Sequence, residues 1–448
     1  MYKIILATRY LLKRRITYFG ILAVALCVFI VVVVMTVMAG LVNEFKEKNH
    51  RFAGDCVVGT ESLVGFAYYE DFAKLLEQQD FVKAVSPAIK SFALKRRRGS
   101  DQDDIVEVTG IDPVKHSQAT GFGDSLYYHR NDVSRAFNIT NDANLVGCVL
   151  GDYVLLQDTY NRNLSETNIP RIAYSISCFP LTARGALAQA GTDMVNTKTF
   201  YFSDQSSSGL PRVDGSVVYL PFEQAQALCG MDGSPKRASR LHIKFKPGVK
   251  IPAGCEKVQS LWQKFRQDKS DEAQSYTLDT VSVQSWKQYR RESIAPMENE
   301  QTEMSVMFGF VGITTVFIVL VVFYMIISHK SKDIGILKSI GVSNIDIIEL
   351  FSGYAFLVGI IGAGIGLLTG WIFLLKINQI EDWLYEHYGF QLWDRTIYAI
   401  GDIPNKVDFK ILATIAISAI VACLAGALIP TLQAARQRPA ETLQVGQL

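Results

Sequence analysis

The 448-residue chain predicts a membrane protein of the α-helical class: four transmembrane helices in a one-plus-three arrangement, with a large α+β domain between the first and the second. Three observations carry this. The windows 16–43, 304–328, 350–375 and 411–435 contain no Asp, Glu, Lys, Arg or His, and each supplies the roughly 20 apolar residues that about 30 Å of hydrocarbon demands. The segment 43–302 instead has the mixed composition of a water-soluble domain, although 49% of the whole chain is hydrophobic. Basic residues also sort by side: Lys3, Arg9, Lys13, Arg14 and Arg15 precede the first span, Lys330, Lys332 and Lys338 follow the second, and Arg436 and Arg438 follow the fourth. Because Lys and Arg accumulate on the cytoplasmic side, both termini and the connection after the second span are expected in the cytoplasm, with the large domain outside it.

The first span, 16–42, follows a basic cluster as a secretory signal would. Its apolar run over 18–38 exceeds a signal core of about 7 to 15 residues, and no small-x-small cleavage site follows, so it reads as a retained anchor. In the domain at 43–302, CVVGT (56–60) predicts a strand, and YYEDFAKLLEQQ (68–79) a helix with Phe72, Leu75 and Leu76 on one face. KRRRGSDQDD (95–104) lies between two strand signals and reads as a solvated hairpin tip. DIVEVTGIDP (104–113) predicts a strand ending in a turn at Asp-Pro. Residues 117–204 are less regular. Beyond them SVVYLPFEQAQALCG (216–230) and RLHIKFKP (240–247) supply strands, and EKVQSLWQKFRQ (256–267) a helix. The expectation is a domain of two lobes, the second an insertion.

The spans 303–328, 344–376 and 410–435 complete the membrane part, and 436–448 forms a tail. Residues 329–343 join the first two of these. An acidic loop, 377–409, joins the last two, and its Trp383, Tyr385, Tyr388, Phe390, Trp393 and Tyr398 suit the headgroup level. Small residues recur at Gly362, Gly366 and Gly370 and at Ser418, Ala422 and Gly426, a spacing that lets helix backbones approach, within the chain or between subunits.

Several chemistries lack their residues. The net charge of +2 is already explained by topology and offers nothing to nucleic acid. No GxxxxGK[ST] is present to cradle phosphates, and there is no HExxH, Cys/His cluster or GxSxG. No catalytic residue, metal or bound cofactor is therefore expected. The windows hold no ionisable residue to relay protons, which argues against an ion-coupled transporter. Of the seven cysteines, Cys56, Cys148, Cys178, Cys229 and Cys255 fall in the large domain. Pairing is permitted there, and an odd number leaves at least one free.

The connection KSKDIGILKSIGVSNIDII (330–348) has its own pattern. Ile334, Leu337 and Ile340 predict the apolar face of a short helix, Gly341 ends it, and Ser343 with Asp346 resembles a capping box that starts the next. Such a face lies against membrane or docks on another protein.

A resemblance decides between these. KSKDIGILKSIGVS resembles the coupling-helix signature of permeases in the MacB/FtsX-like superfamily of ABC transporters, matched at Lys330, Asp333, Ile334, Leu337, Lys338, Gly341 and Ser343. LATRYLLKRR (6–15) is similar to the amphipathic elbow of the lipoprotein-releasing LolC/LolE branch, so 1–15 is expected to form a cytoplasmic elbow helix. VMTVMAGLVNEF (34–45) resembles the end of that branch's first span, with Ala39-Gly40 where Asn-Gly is usual. VTGIDP, Trp286, GFQLWDRTIYAIGDIP (389–404) and GALIPTLQAARQRPAETL (426–443) match in order, whereas 117–204 matches weakly.

The resemblance implies a non-catalytic permease subunit of the bacterial inner membrane with a MacB-like periplasmic domain. A separate cytoplasmic ATPase dimer, holding ATP and Mg, would grip Lys330, Asp333, Ile334, Leu337, Lys338, Ile340 and Gly341. The other implied partners are a second permease subunit, identical or paralogous, a lipoprotein substrate and a periplasmic carrier. Val34, Met38 and Leu41 of the first span and Met307, Phe310 and Val311 of the second are expected to offer acyl chains an apolar surface, against the plainer reading that they face bulk lipid. Carrier contact would be sought in 195–211. The alternatives are a MacB-like exporter of periplasmic peptides or small molecules and an FtsX-like regulator of a periplasmic hydrolase.

Overall fold

The structure, a computed structural model, describes residues 15–139, 145–159, 172–188, 194–329, 331–389 and 402–436. The chain divides into two compact units: a helical one of residues 1–43, 296–394 and 401–448, and a mixed one of 44–295 with 395–400. In chain order the principal helices are α1 (Arg15–Ala53), α2 (Tyr69–Glu77), α3 (Pro113–Ala119), α4 (Phe222–Leu228), α5 (Ile251–Asp268), α6 (Arg291–His329), α7 (Ser331–Ser339), α8 (Asn344–Tyr388) and α9 (Phe409–Arg436). The strands are β1 (Cys56–Gly59), β2 (Phe66–Ala67), β3 (Val82–Arg97), β4 (Asp103–Ile111), β5 (Gly147–Gly151), β6 (Ala173–Cys178), β7 (Asn196–Ser206), β8 (Val217–Pro221), β9 (Arg237–Ala238), β10 (Arg240–Phe245) and β11 (Ser282–Ser285).

In the helical unit α1, α6, α8 and α9 are long and apolar enough to cross a membrane. All four outrun its hydrocarbon core, three of them by far: at about 1.5 Å per residue, the 39 residues of α1 and of α6 and the 45 of α8 reach roughly twice the hydrocarbon thickness. The acidic loop expected over 377–409 is therefore helical as far as Tyr388. No helix breaker interrupts 377–388, and the chain turns only at Gly389, whose positive φ of 63° ends the helix with its N–H on the Tyr385 carbonyl. Of the loop aromatics, Phe390, Trp393 and Tyr398 lie outside the described residues.

The glycines of α8 form a track for α1. A Cβ on Gly362 would meet Val24, one on Gly366 the Ala25 carbonyl oxygen at 2.6 Å and Val28 at 2.7 Å, and one on Gly370 Val32 at 3.1 Å. Valines at four-residue spacing thus seat over glycines at the same spacing, so this small-residue run serves packing within the chain. In α9 the expected face is displaced. Ser418 is exposed, with its hydroxyl on the Ile415 carbonyl, and Ala422 is only half-buried. The packed face runs instead through Ala419, Cys423, Gly426 and Ala427. A Cβ on Gly426 would lie 2.6 Å from the Val316 carbonyl oxygen of α6, and Gly359 of α8 rests against Cys423. Four-residue steps starting at Ala419 rather than Ser418 set the register.

The mixed unit is built on a nine-stranded sheet in the order β11-β1-β10-β3-β4-β8-β5-β7-β6. The 16-residue β3 organises it: its start pairs with β10, its end with β4, and Leu94–Arg97 also pair with β6. The strands β3, β4, β8, β5, β7 and β6 therefore close on themselves, while β10, β1 and β11 continue from the other end of β3. The two ends share β3 and one hydrophobic cluster that extends from Cys56 and Phe72 to Phe200 and Phe202. The stretch 117–204, irregular by sequence, supplies β5, β6 and most of β7. The hairpin tip is as expected beyond Lys95, closed by paired contacts from Arg96 to Asp103 at 2.6 Å, but Lys95 itself is fully buried, with its Nζ 3.3 Å from the Asp104 carboxylate. Asp112 does not make a simple turn after β4. Its carboxylate accepts from the Val114 and Lys115 N–H groups and caps α3, with Pro113 at the first helical position.

Candidate functional site

The connection between α6 and α8 is a helix, a break and a restart, as its residues predict. Gly341 takes φ 100°, a left-handed conformation with no Cβ to resist it. Ser343 and Asp346 form a reciprocal capping box, the Ser343 Oγ accepting from Asp346 N–H at 3.2 Å and donating to the Asp346 carboxylate at 2.7 Å.

The ridge proposed for a partner is divided. Ile334 is 1% exposed and packs with Ile327, Ile347, Phe351, Ala434 and Ala435 of its own chain. Leu337 is half-buried, and Ile340 is 76% exposed. Steps of three residues fall about 60° short of a full helical turn each, so Ile340 lies some 120° around from Ile334. The outward pair is Ile336, 50% exposed, with Ile340 one turn on, and Ile345 beyond the break is exposed too. Ile336 was missed because three-residue counting from Ile334 passes it over. Four-residue counting back from Ile340 finds it. Lys338 points inward, its Nζ donating to the Ala435 carbonyl at 2.7 Å. Lys330 lies outside the described residues, and Asp333 belongs to α7 by its backbone.

The expected acyl-chain residues differ in setting. Leu41 is buried, so it lies in the interior rather than on an open surface. Val34, Met38 and Val311 are half-buried, and Met307 and Phe310 are exposed. Phe310 belongs to an exposed apolar stripe on α6 with Met307, Ile313 and Phe317. Gly309 and Gly312 on the same stretch have open space where a Cβ would stand. Gly40 of α1 is needed for close approach, since a Cβ there would lie 2.5 Å from Pro404.

Within the mixed unit, the end of α1 and the start of α6 meet at Trp286. Ala53, Trp286 and Ile294 form a buried cluster with Phe45 and Tyr289 against it. The His50 ring stacks on Trp286 at 4.6 Å and bonds Asp55 at 2.7 Å. Asp55 also receives Lys244 and the Phe245 N–H. Burial by itself raises the Asp55 carboxyl, but these hydrogen bonds outweigh it and hold the pKa below the usual range. Most of the segment 195–211 is β7, which runs inside the sheet between β5 and β6, with Phe200 and Phe202 buried in the apolar cluster and the Asp204 carboxylate buried on the Tyr128 and His129 N–H groups.

Among the described residues no group of His, Cys, Asp or Glu could hold a metal ion. Residues 305–439 match the family FtsX-like permease C-terminal. The chain is 21% identical over 429 residues to the lipoprotein-releasing system transmembrane protein LolC of Neisseria meningitidis, covering 96% of this chain and 94% of that one. It is 21% identical over 448 residues to LolC of Xylella fastidiosa, covering 97% of each. The periplasmic region of MacB from Actinobacillus actinomycetemcomitans aligns with 9% identity and a TM-score of 0.32, over 56% of this chain and 97% of that one.

Proposed function

We propose that the chain is an FtsX-like ABC permease that extracts lipoproteins from the outer leaflet of the inner membrane, a reading supported by the FtsX-like permease C-terminal match over residues 305–439 and by relatives named LolC along most of its length. A separate ATPase drives the extraction from the cytoplasm, and a periplasmic carrier receives the product. Drawing three acyl chains of about 15 methylenes each into water costs on the order of 35 kcal/mol at roughly 0.8 per CH₂. Release therefore needs external work and an apolar surface that takes the chains on the way.

The observation that carries this reading is the divided coupling helix. Its outer face, Ile336 and Ile340, is exposed for a partner, while its inner face, Ile334 and Lys338, is bound to the ends of α8 and α9. A load applied to the outer face passes directly to two membrane helices. Met38, Met307 and Phe310 are the proposed acyl contacts; methionine's flexible thioether adapts to varied chain shapes. A photo-crosslinker at Phe310 should trap triacylated protein, and Met38→Glu with Phe310→Glu should abolish trapping while the ATPase still copurifies. Unchanged trapping overturns the assignment.

A further inference from the structure

Four of the five cysteines in the mixed unit lie in two pairs. The Cys56 and Cys255 thiols are within hydrogen-bonding reach of each other. Cys56 opens β1, and Cys255 sits in the first turns of α5 with its sulfur 4.0 Å from the Asp55 carbonyl oxygen. The Cys178 and Cys229 thiols are likewise within reach of each other. Their backbones are held together independently of the sulfurs. Asn196, opposite Cys178 in the sheet, donates its side-chain amide to the Ala227 and Leu228 carbonyls, and the Leu181 N–H donates to the Cys229 carbonyl. Arg237 fixes the same corner through the Leu181 and Gly230 carbonyls. Three of the four sulfur-bearing residues are fully buried in one apolar cluster, against which Cys255 packs. Sequence spacing alone offered no way to choose among five cysteines.

We propose that Cys56–Cys255 and Cys178–Cys229 are disulfide-bonded in the mature protein, leaving Cys148 as a buried thiol. The proposal rests on the extracytoplasmic placement of this unit, the compartment in which disulfides persist. Each bond forms as two thiols give up two protons and two electrons. The electrons reduce the disulfide of an extracytoplasmic thiol oxidoreductase to its dithiol. Cys56–Cys255 closes a loop of about 200 residues, the size class in which a crosslink most restricts the unfolded chain. It also ties the first strand after α1 to α5. Cys178–Cys229 ties the closing strand β6 to the end of α4.

The test is peptide mapping of the full chain, taken from cells quenched in acid, alkylated under denaturing conditions and digested without reduction. Expected are a peptide carrying Cys56 linked to one carrying Cys255, a second linking Cys178 to Cys229, and alkylation confined to Cys27, Cys148 and Cys423. Cys255→Ala should expose Cys56 to alkylation and leave the second link intact. Free thiols at all seven positions, or links to Cys148, overturn the proposal. A parallel arm oxidises the reduced, detergent-solubilised chain with glutathione disulfide and identifies the reason for failure. The two links forming there but not in cells would fault the compartment, whereas other links or none in both would fault the pairing.

Discussion

Ile336 on α7 and Ile340 just past its end stand four residues apart with their side chains in the open, and covering two such residues is worth about 1.5–3 kcal/mol each when burial is complete. Ile336→Asp with Ile340→Asp should reduce ATPase recovered with the detergent-solubilised permease by tenfold or more without lowering permease yield. Ile334→Ala should do the reverse, lowering thermal stability through a cavity of about 2–5 kcal/mol while leaving the outer face unchanged. Retained ATPase with the double variant would remove this face from the interface. In the mixed unit, His242 donates Nδ1–H to the Ala53 carbonyl at 2.8 Å, and burial pushes its pKa from 6.5 down to about 4. His116, its ring 5.2 Å away, is also held well below the ordinary value by burial and by His242. Folded-state pKa values below the unfolded value mean stability that is complete above pH 6.5 and lost as pH falls towards 4. Melting temperature should therefore drop across that window, and His242→Asn should flatten the slope.

At the scale of elements, α1 and α8 are matched valine to glycine, and the match makes a sharp pair of variants. Gly366→Ala places a Cβ 2.6 Å from the Ala25 carbonyl oxygen, a backbone atom that cannot step aside, whereas Gly364→Ala enters open space. The first should lower the yield of monodisperse protein in size-exclusion chromatography severalfold. The second should leave it unchanged or slightly raised, since alanine favours helix by about 1 kcal/mol over glycine. Equal behaviour of the two would mean that α1 does not pack on this track. The short α7 depends on its ends as much as on its face: the positive-φ Gly341 and the capping box at Ser343 fix where it stops and α8 starts. Its outward isoleucines consequently have a defined position to present.

For the whole molecule the informative contact is Lys338 on the Ala435 carbonyl, because it joins the connection between α6 and α8 to α9 without belonging to the exposed face. Lys338→Met keeps most of the stem and loses the donor. It should leave ATPase association intact but lower lipoprotein released per ATP hydrolysed in proteoliposomes, by roughly tenfold if the tether carries the load. Normal stoichiometry would assign force transfer to the Ile334 cluster alone. α1 and α6 each continue unbroken from an apolar window into the mixed unit. There Trp286, His50 and Asp55 bind their ends to β1 and β10.

Charge-free windows, basic flanks and the Gly341–Ser343 break are properties of local chain, so the sequence by itself determined four spans, an inserted α+β domain and the helix-break-helix connection. Phe72 and Leu76 were equally legible, because a helix face needs only its own periodicity. Tertiary structure decided what depends on residues distant in sequence. It placed Ile334 inward and Ile336 outward, put Cys423 rather than Ser418 in the α9 contact, carried α8 on to Tyr388 and set Cys56 beside Cys255 and Cys178 beside Cys229. Periodicity states which residues share a face, but the neighbours brought up by folding determine which face is covered.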